Sequence, residues 1–490
     1  MARIAVIGAG MGAMAAAARL AVAGHRVTVH ERSETFGGAV GGFERDGFAF
    51  DTGPGLLHLP AVYRDLFLKT GKQPLESLVE MAQVEPASRH LFADGTEVSL
   101  PNASHGGAVA ALDSALGSGA GERWGDFLKR ARECWDRSRR PLLEEPLWPN
   151  WQVLGREPYP ALRQRRLLRV RQAATLAQVG AWELDDPRLA TLLDACALSY
   201  GLDPRRVPAS AALLPYMEQA FGAWYVRGGM RSLARAVYER CLERGVEFVF
   251  SSEVTGVLER DGRAAGLELA DGSTVEADQV VAAAGRGGLG ERKLWRDGEV
   301  RPTAADTDPG RFTVLLALRG ARPAGAAHRA VVHSPDTAAE AAAVFGDGPT
   351  AHPTVTVLRP DDPANRPDDA HEAVTLTATV SGDPARWADG AVRERCADTL
   401  ITAAERVIPD LRERLLWREV LTPAETGRVR PPALAGEGGA YLRPSNSTAL
   451  PGLHLAGGWS HPGGGLAHAG MSGALVAGLI VEGEDFRGSQ

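Results

Sequence analysis

The sequence predicts an α/β protein: a Rossmann-like dinucleotide-binding domain carrying a substrate domain with a mixed or antiparallel sheet and a helical lid insert. Three observations predict it. A strand, a glycine turn and a helix open the chain, a second glycine-rich turn leads into a helix near its end, and a helical block and a strand block lie between them. At 490 residues the chain exceeds the ~250–300 residues at which single cores stop growing. The pattern divides it into a nucleotide domain in three pieces (1–100, 223–300 and 425–490), a helical insert (101–222) and a sheet domain (301–424).

Composition narrows the function classes. Hydrophobic residues make up 44% and charged residues 23%, as in ordinary globular proteins. With Lys+Arg 54 against Asp+Glu 61 and a net charge of -7, the global basic excess of a nucleic-acid binder is absent. The four cysteines, Cys134, Cys196, Cys241 and Cys396, form no C-x-x-C pair. They read as reduced thiols, with no metal site. The N-terminus runs directly into a strand that the fold needs, and no charge-free apolar run reaches ~18 residues. The expected location is the cytoplasm, with attachment to the inner face of the membrane left open.

Arg3 to Ile7 reads as a buried strand, followed by Gly8-Ala-Gly10-Met11-Gly12-Ala13 and an Ala-rich helix to about Ala23. Gly8 permits a tight turn, Gly10 lets the backbone approach a pyrophosphate, and small Ala13 allows close helix–strand packing. The free N–H groups and positive dipole end of the helix then favour an anion. A second strand, Arg26 to His30, ends in Glu31-Arg32, where a ribose-binding carboxylate belongs. Gly37-Gly38 follows shortly after, an extension that NAD enzymes do not usually carry.

Gly42 to Pro60 reads as a hairpin turning at Asp46-Gly47 and ending in Asp51-Thr52-Gly53-Pro54, where Gly53 either terminates the strand or admits a flat ring. Trp224 to Met230 precedes a helix to Arg244 and a strand at Val246–Phe250. Val254 opens a further hairpin, and the apolar run Gln279 to Gly285 returns to the Rossmann sheet. Strands are expected at Phe312–Arg319, Ala330–His333, Thr354–Leu358 and Ala373–Val380. Helices are expected over Gly106–Tyr216. Near the end, Gly457-Gly458-Trp459-Ser460-His461-Pro462-Gly463-Gly464-Gly465 leads into a helix from Leu466 to about Val481, a terminus that can aim N–H groups at the pyrimidine edge of a flavin.

Together these segments resemble the bacterial phytoene desaturase family of the FAD-dependent amine-oxidase-like superfamily, along essentially the whole chain. The resemblance rests on Gly8–Ala13 with Glu31 and Gly37-Gly38, on Gly47-Phe-Ala-Phe-Asp51-Thr-Gly-Pro54, on Arg227-Gly-Gly229, and on Gly452 to Gly463 with its Ser460-His461-Pro462-Gly463. It implies FAD held by Glu31 at the ribose, by the backbone of Val254 at adenine, and by Thr52–Pro54 and Gly458–Gly463 around the isoalloxazine. It also implies hydride removal from a hydrophobic polyene or isoprenoid chain, with a quinone or oxygen as acceptor. No catalytic acid or base is assigned. His58, Arg227, His461 and His468 are the candidates near substrate, with Arg227 equally readable as a loop brace and His461 as a structural residue.

The chain also departs from the family pattern. Ala39 stands where an arginine commonly follows the second glycine pair, Trp459 replaces a small residue, and His468 interrupts an apolar continuation. The last two are expected near the reacting end, where they favour a substrate bearing oxygen or nitrogen. That leaves a polyene polyketide or macrolactam oxidoreductase or cyclase as an alternative. A flavin-free prenyl-lipid escort and an amine oxidase are the further rivals. Leu147–Trp151 and the basic run Arg163–Arg171 read as a docking face for anionic lipid or as a solvated helix face.

Overall fold

The computed structural model describes residues 1–147, 150–166, 169–283, 308–346 and 352–488. Its nucleotide domain is built on a parallel sheet of β1 (Arg3–Ile7), β2 (Arg26–His30), β11 (Glu247–Val249), β15 (Gln279–Ala282) and β21 (Leu453–Leu455), in the order β11–β2–β1–β15–β21. Every pairing in it is parallel, so both faces must be covered. In β1, Ile4 and Val6 face a core formed with helices Ala61–Gly71, Met11–Val22 and Met230–Glu243. Ala5 and Ile7 face the opposite core. That second core lies under an antiparallel meander of β12 (Val254–Arg260), β13 (Arg263–Leu269) and β14 (Thr274–Glu276). The strands come from three separated stretches of chain.

The predicted hairpin forms from β3 (Gly42–Arg45) and β4 (Phe48–Asp51), and Asp46 and Gly47 take φ of 52° and 79° at its turn. The substrate sheet has seven strands, ordered β20–β16–β19–β18–β17–β6–β7. They are β6 (Ser88–Leu91), β7 (Glu97–Leu100), β16 (Gly310–Arg319), β17 (Arg329–Val332), β18 (Val355–Leu358), β19 (His371–Val380) and β20 (Leu415–Leu421). Only β17 and β6 pair in parallel among them. This corrects the domain boundary at residue 100: β6 and β7 extend the substrate sheet. Strands of four residues, each with only one or two apolar positions, carry little signal of so distant a partner. A small ribbon of β5 (Met81–Gln83) and β10 (Trp224–Val226) joins the two crossings between domains.

The insert packs helices His105–Leu116, Ala120–Arg139, Pro187–Ser199 and Leu213–Phe221 around Trp124, Phe127, Leu176 and Leu193. The basic run is not helical. It forms two short strands paired antiparallel, β8 (Gln164–Arg166) and β9 (Arg169–Arg171). Trp148, Pro149, Leu167 and Leu168 lie outside the described residues, as do Gly285 and the boundary at 300. Among the described residues, no helix is long and apolar enough to cross a membrane.

Candidate functional site

The N-terminal glycine turn begins where β1 ends. Gly8 takes φ +91°, which a side chain resists. Gly10 caps helix Met11–Val22 without any side-chain acceptor, and the first turn carries no acid. The first-turn amides of buried Met11, Gly12 and Ala13 thus lack an internal anion. The second glycine pair closes on the first. Gly10 and Gly37 form a backbone bridge, and a Cβ on Gly38, which has φ +59°, would lie 3.0 Å from Gly10 Cα. This is a cradle that only bare backbone leaves open, and it fits a pyrophosphate.

Glu31 stands at the exit of β2. Its Oε2 accepts from the Ala9 N–H (2.7 Å), and its Oε1 accepts from the Ser33 N–H (2.9 Å) and hydroxyl (2.8 Å). Its carbonyl accepts from Ser252 N–H at 2.8 Å, two residues before Val254. Arg32 and Ala39 are exposed. Where the family's arginine is missing, the Arg231 guanidinium bonds the carbonyls of Phe36 and Val40 and lies 4.0 Å over the Phe36 ring. Arg231 was not singled out from sequence, because it is nearly two hundred residues away along the chain.

The C-terminal motif meets this turn directly. A Cβ on Gly12 would sit 2.8 Å from the Ala469 carbonyl oxygen and 2.9 Å from Gly457 Cα and N. The Gly457 N–H donates to Ser472 Oγ at 2.7 Å. Gly458 abuts Gly464, and Pro462 accepts from the Ala433 N–H at 2.9 Å. His461 is fully buried, joined to Pro462 by a cis peptide, with Nε2 3.0 Å from the Glu145 carbonyl oxygen. Burial lowers the pKa of both His461 and His468 to about 4, so both are neutral at pH 7. Trp459 is buried with Ile7, Leu453 and Leu455 in the core under the meander.

The hairpin delivers the third segment. The Thr52 N–H donates to the Gly41 carbonyl at 3.1 Å, and Gly53 lies against the Ala39 carbonyl. Asp51, just before, caps helix Met230–Glu243 by accepting from the Met230 (2.9 Å) and Arg231 (3.2 Å) amides. Burial raises its pKa to about 6. Arg227 braces two loops from an exposed position, with Nε 3.1 Å from Glu80 Oε1 and Nη1 donating to the Asp361 carbonyl at 3.0 Å. A cleft lined by Asp51, Gly53, Tyr225, His328, Leu358 and Thr375 joins the hairpin's end to the substrate sheet.

Deeper in the molecule lies a polar group of which sequence alone singled out only His58. His58, Cys196, Tyr200, Glu218, Arg311 and Arg329 lie deep in the fold, keep some accessible surface and interact with one another electrostatically, which groups them along one polar wall. Glu218 pairs with Arg329 at 3.1 Å and bonds the Tyr200 hydroxyl. His58 places Nδ1 3.1 Å from the Gly222 carbonyl oxygen, and burial lowers its pKa. Apart from His58 these residues were not singled out from sequence, because they are scattered over the chain and meet only in the fold.

The flavin containing amine oxidoreductase model matches residues 14–481. A 4,4'-diapolycopene oxygenase of Methylomonas sp is 28% identical, with 98% of each chain covered. A hydroxyneurosporene desaturase of Cereibacter sphaeroides is 30% identical, over 98% of this chain and 97% of its own. Among solved structures, an oxidoreductase from Methanosarcina mazei superposes with a TM-score of 0.65 at 18% identity, covering 97% of this chain and 99% of its own. The chain therefore belongs to the flavin containing amine oxidoreductase family, within its carotenoid desaturase branch, and is an FAD-dependent oxidoreductase.

Proposed function

We propose that the chain dehydrogenates adjacent carbons of an elongated polyene or isoprenoid substrate, using one FAD held between the glycine turns of its two ends. The observation that carries this reading is the contact of Gly12 with Gly457 and Ala469. It brings the phosphate-type turn beside the terminus suited to a flavin ring, which supports one cofactor spanning both. Full-length similarity to enzymes named for carotenoid substrates supports the substrate class.

In this reading the amides from Gly10 to Ala13 receive the pyrophosphate, with Gly8 and Gly38 keeping the cradle open. Glu31 accepts ribose hydroxyls on its remaining lone pairs, and the Val254 backbone meets adenine. Thr52–Pro54 and Gly458–Gly463 flank the ring. Bound FAD would supply the hydride acceptor and pass the electron pair to a quinone or oxygen. The protein's own share is to align a C–H bond and exclude water, which suits the region where the insert meets the substrate sheet. Exposed Val153 (67%), Leu162 (41%) and Val170 (65%) around the basic strand pair give the insert an apolar and cationic surface suited to peripheral contact with an anionic membrane.

The test is the visible flavin spectrum of the loaded protein, recorded anaerobically after mixing with liposomes containing acyclic carotenoids. Loss of the oxidised band with appearance of a more unsaturated product supports the reading. A band that persists removes carotenoid oxidation.

A further inference from the structure

The substrate sheet turns two different faces to its surroundings. In β19, Leu376, Ala378 and Val380 are buried against helix Gly390–Ala404, whereas Thr375, Thr377 and Thr379 keep accessible surface. Residues directly opposite one another share a face. Register therefore places Arg311 beside Thr379, Thr356 beside Thr377, and Arg329 beside Leu358 on the side of these threonines. This wall is unlike a hydrocarbon sleeve. The hydroxyls of Thr356, Thr375, Thr377 and Thr379 make no hydrogen bond among the described residues, and a hydrocarbon against them would leave them unsatisfied.

The charges do not balance either. Glu218 is taken by Arg329 at 3.1 Å, and Asp308, three residues before Arg311, lies 3.8 Å from Arg430. Arg311 has no ion pair among the described residues, and the neighbour facing it from the insert is Tyr200. His58 and Tyr200 are held neutral by burial. The described wall thus carries one uncompensated guanidinium beside a hydroxyl ladder. A buried unpaired charge is costly, and a guanidinium matches a carboxylate in both charge and shape.

We propose that this wall is a binding site for a carboxylate carried by the substrate, with Arg311 as its cation and the β19 threonines as donors around it. The proposal rests on the polyene reading above and narrows it to an acidic polyene. Two probes of equal chain length test it on the FAD-loaded protein: retinoic acid and its methyl ester, with binding followed through the polyene absorption band. The wild type should bind the acid about ten- to hundredfold more tightly than the ester, the range of one charge-assisted hydrogen-bonded pair. Arg311→Gln should abolish the preference and Arg311→Lys should keep part of it. The wild-type ratio requires no variant to fold. Equal binding of acid and ester, binding of neither, or an unchanged preference in Arg311→Gln overturns the site. Protein that is bleached by a hydrocarbon carotenoid yet does not discriminate loses only the carboxylate site. Protein that prefers the acid yet is bleached by no polyene keeps the site and loses the dehydrogenase reading.

Discussion

One added carbon at residue 12 would fall within 2.9 Å of backbone atoms belonging to the other end of the chain. Backbone there cannot rotate aside as a side chain would, so overpacking of this kind costs about 1–3 kcal/mol. Gly12→Ala should lower the thermal midpoint and the flavin content together. The buried histidines make a pH prediction. Burial lowers the folded pKa of His461 and His468 to about 4, from 6.5. Their contribution is therefore fully present above about pH 6.5 and lost as pH falls toward 4, because unfolding lets them take up protons. Thermal melts should show stability falling across that window, and His468→Gln should flatten part of the fall. The glycine motifs were legible in sequence because their residues are neighbours along the chain. The polar wall was not, because Tyr200, Glu218, Arg311 and Arg329 meet only through tertiary packing.

The substrate sheet is pinned by a buried ion triad at the scale of strands. Glu372 in β19 accepts from Arg359 at 2.7 and 3.0 Å and from Arg414 at 2.8 Å, with Arg359 and Glu372 side chains 3% and 1% exposed. Removing the carboxylate would leave two arginines facing each other, a loss of about 3–5 kcal/mol. Glu372→Ala should therefore shift the denaturant midpoint strongly, and a midpoint near wild type would show that the triad carries little. Periodicity revealed β16, β17, β18 and β19 because their apolar runs and alternations are long enough to read. It missed the destination of β6 and β7, since four residues of mixed polarity do not encode a partner more than two hundred residues away. It also missed the β8–β9 pair, where arginines mask strand propensity.

The nucleotide sheet takes strands from both ends and the middle of the chain, and that arrangement makes flavin retention a property of the entire fold. The insert surface adds a physical expectation at this scale. If Val153, Leu162 and Val170 meet lipid beside the basic strand pair, the protein should float with anionic liposomes at low salt and be released as salt screens the arginines. Protein that stays in solution at low salt would exclude this face as a membrane contact. The parallel strands β1 and β2 were legible because the glycine turn and the change of period beside them are local in sequence, whereas the polarity of the substrate sheet's Thr-bearing face emerged only from strand register. The measurement that bears most directly on the central claim is the FAD released per chain when purified protein is denatured after incubation with excess FAD and removal of the unbound cofactor. One FAD per chain, lost in Gly12→Ala, is the predicted result. A colourless wild-type chain that takes up no FAD would contradict the account.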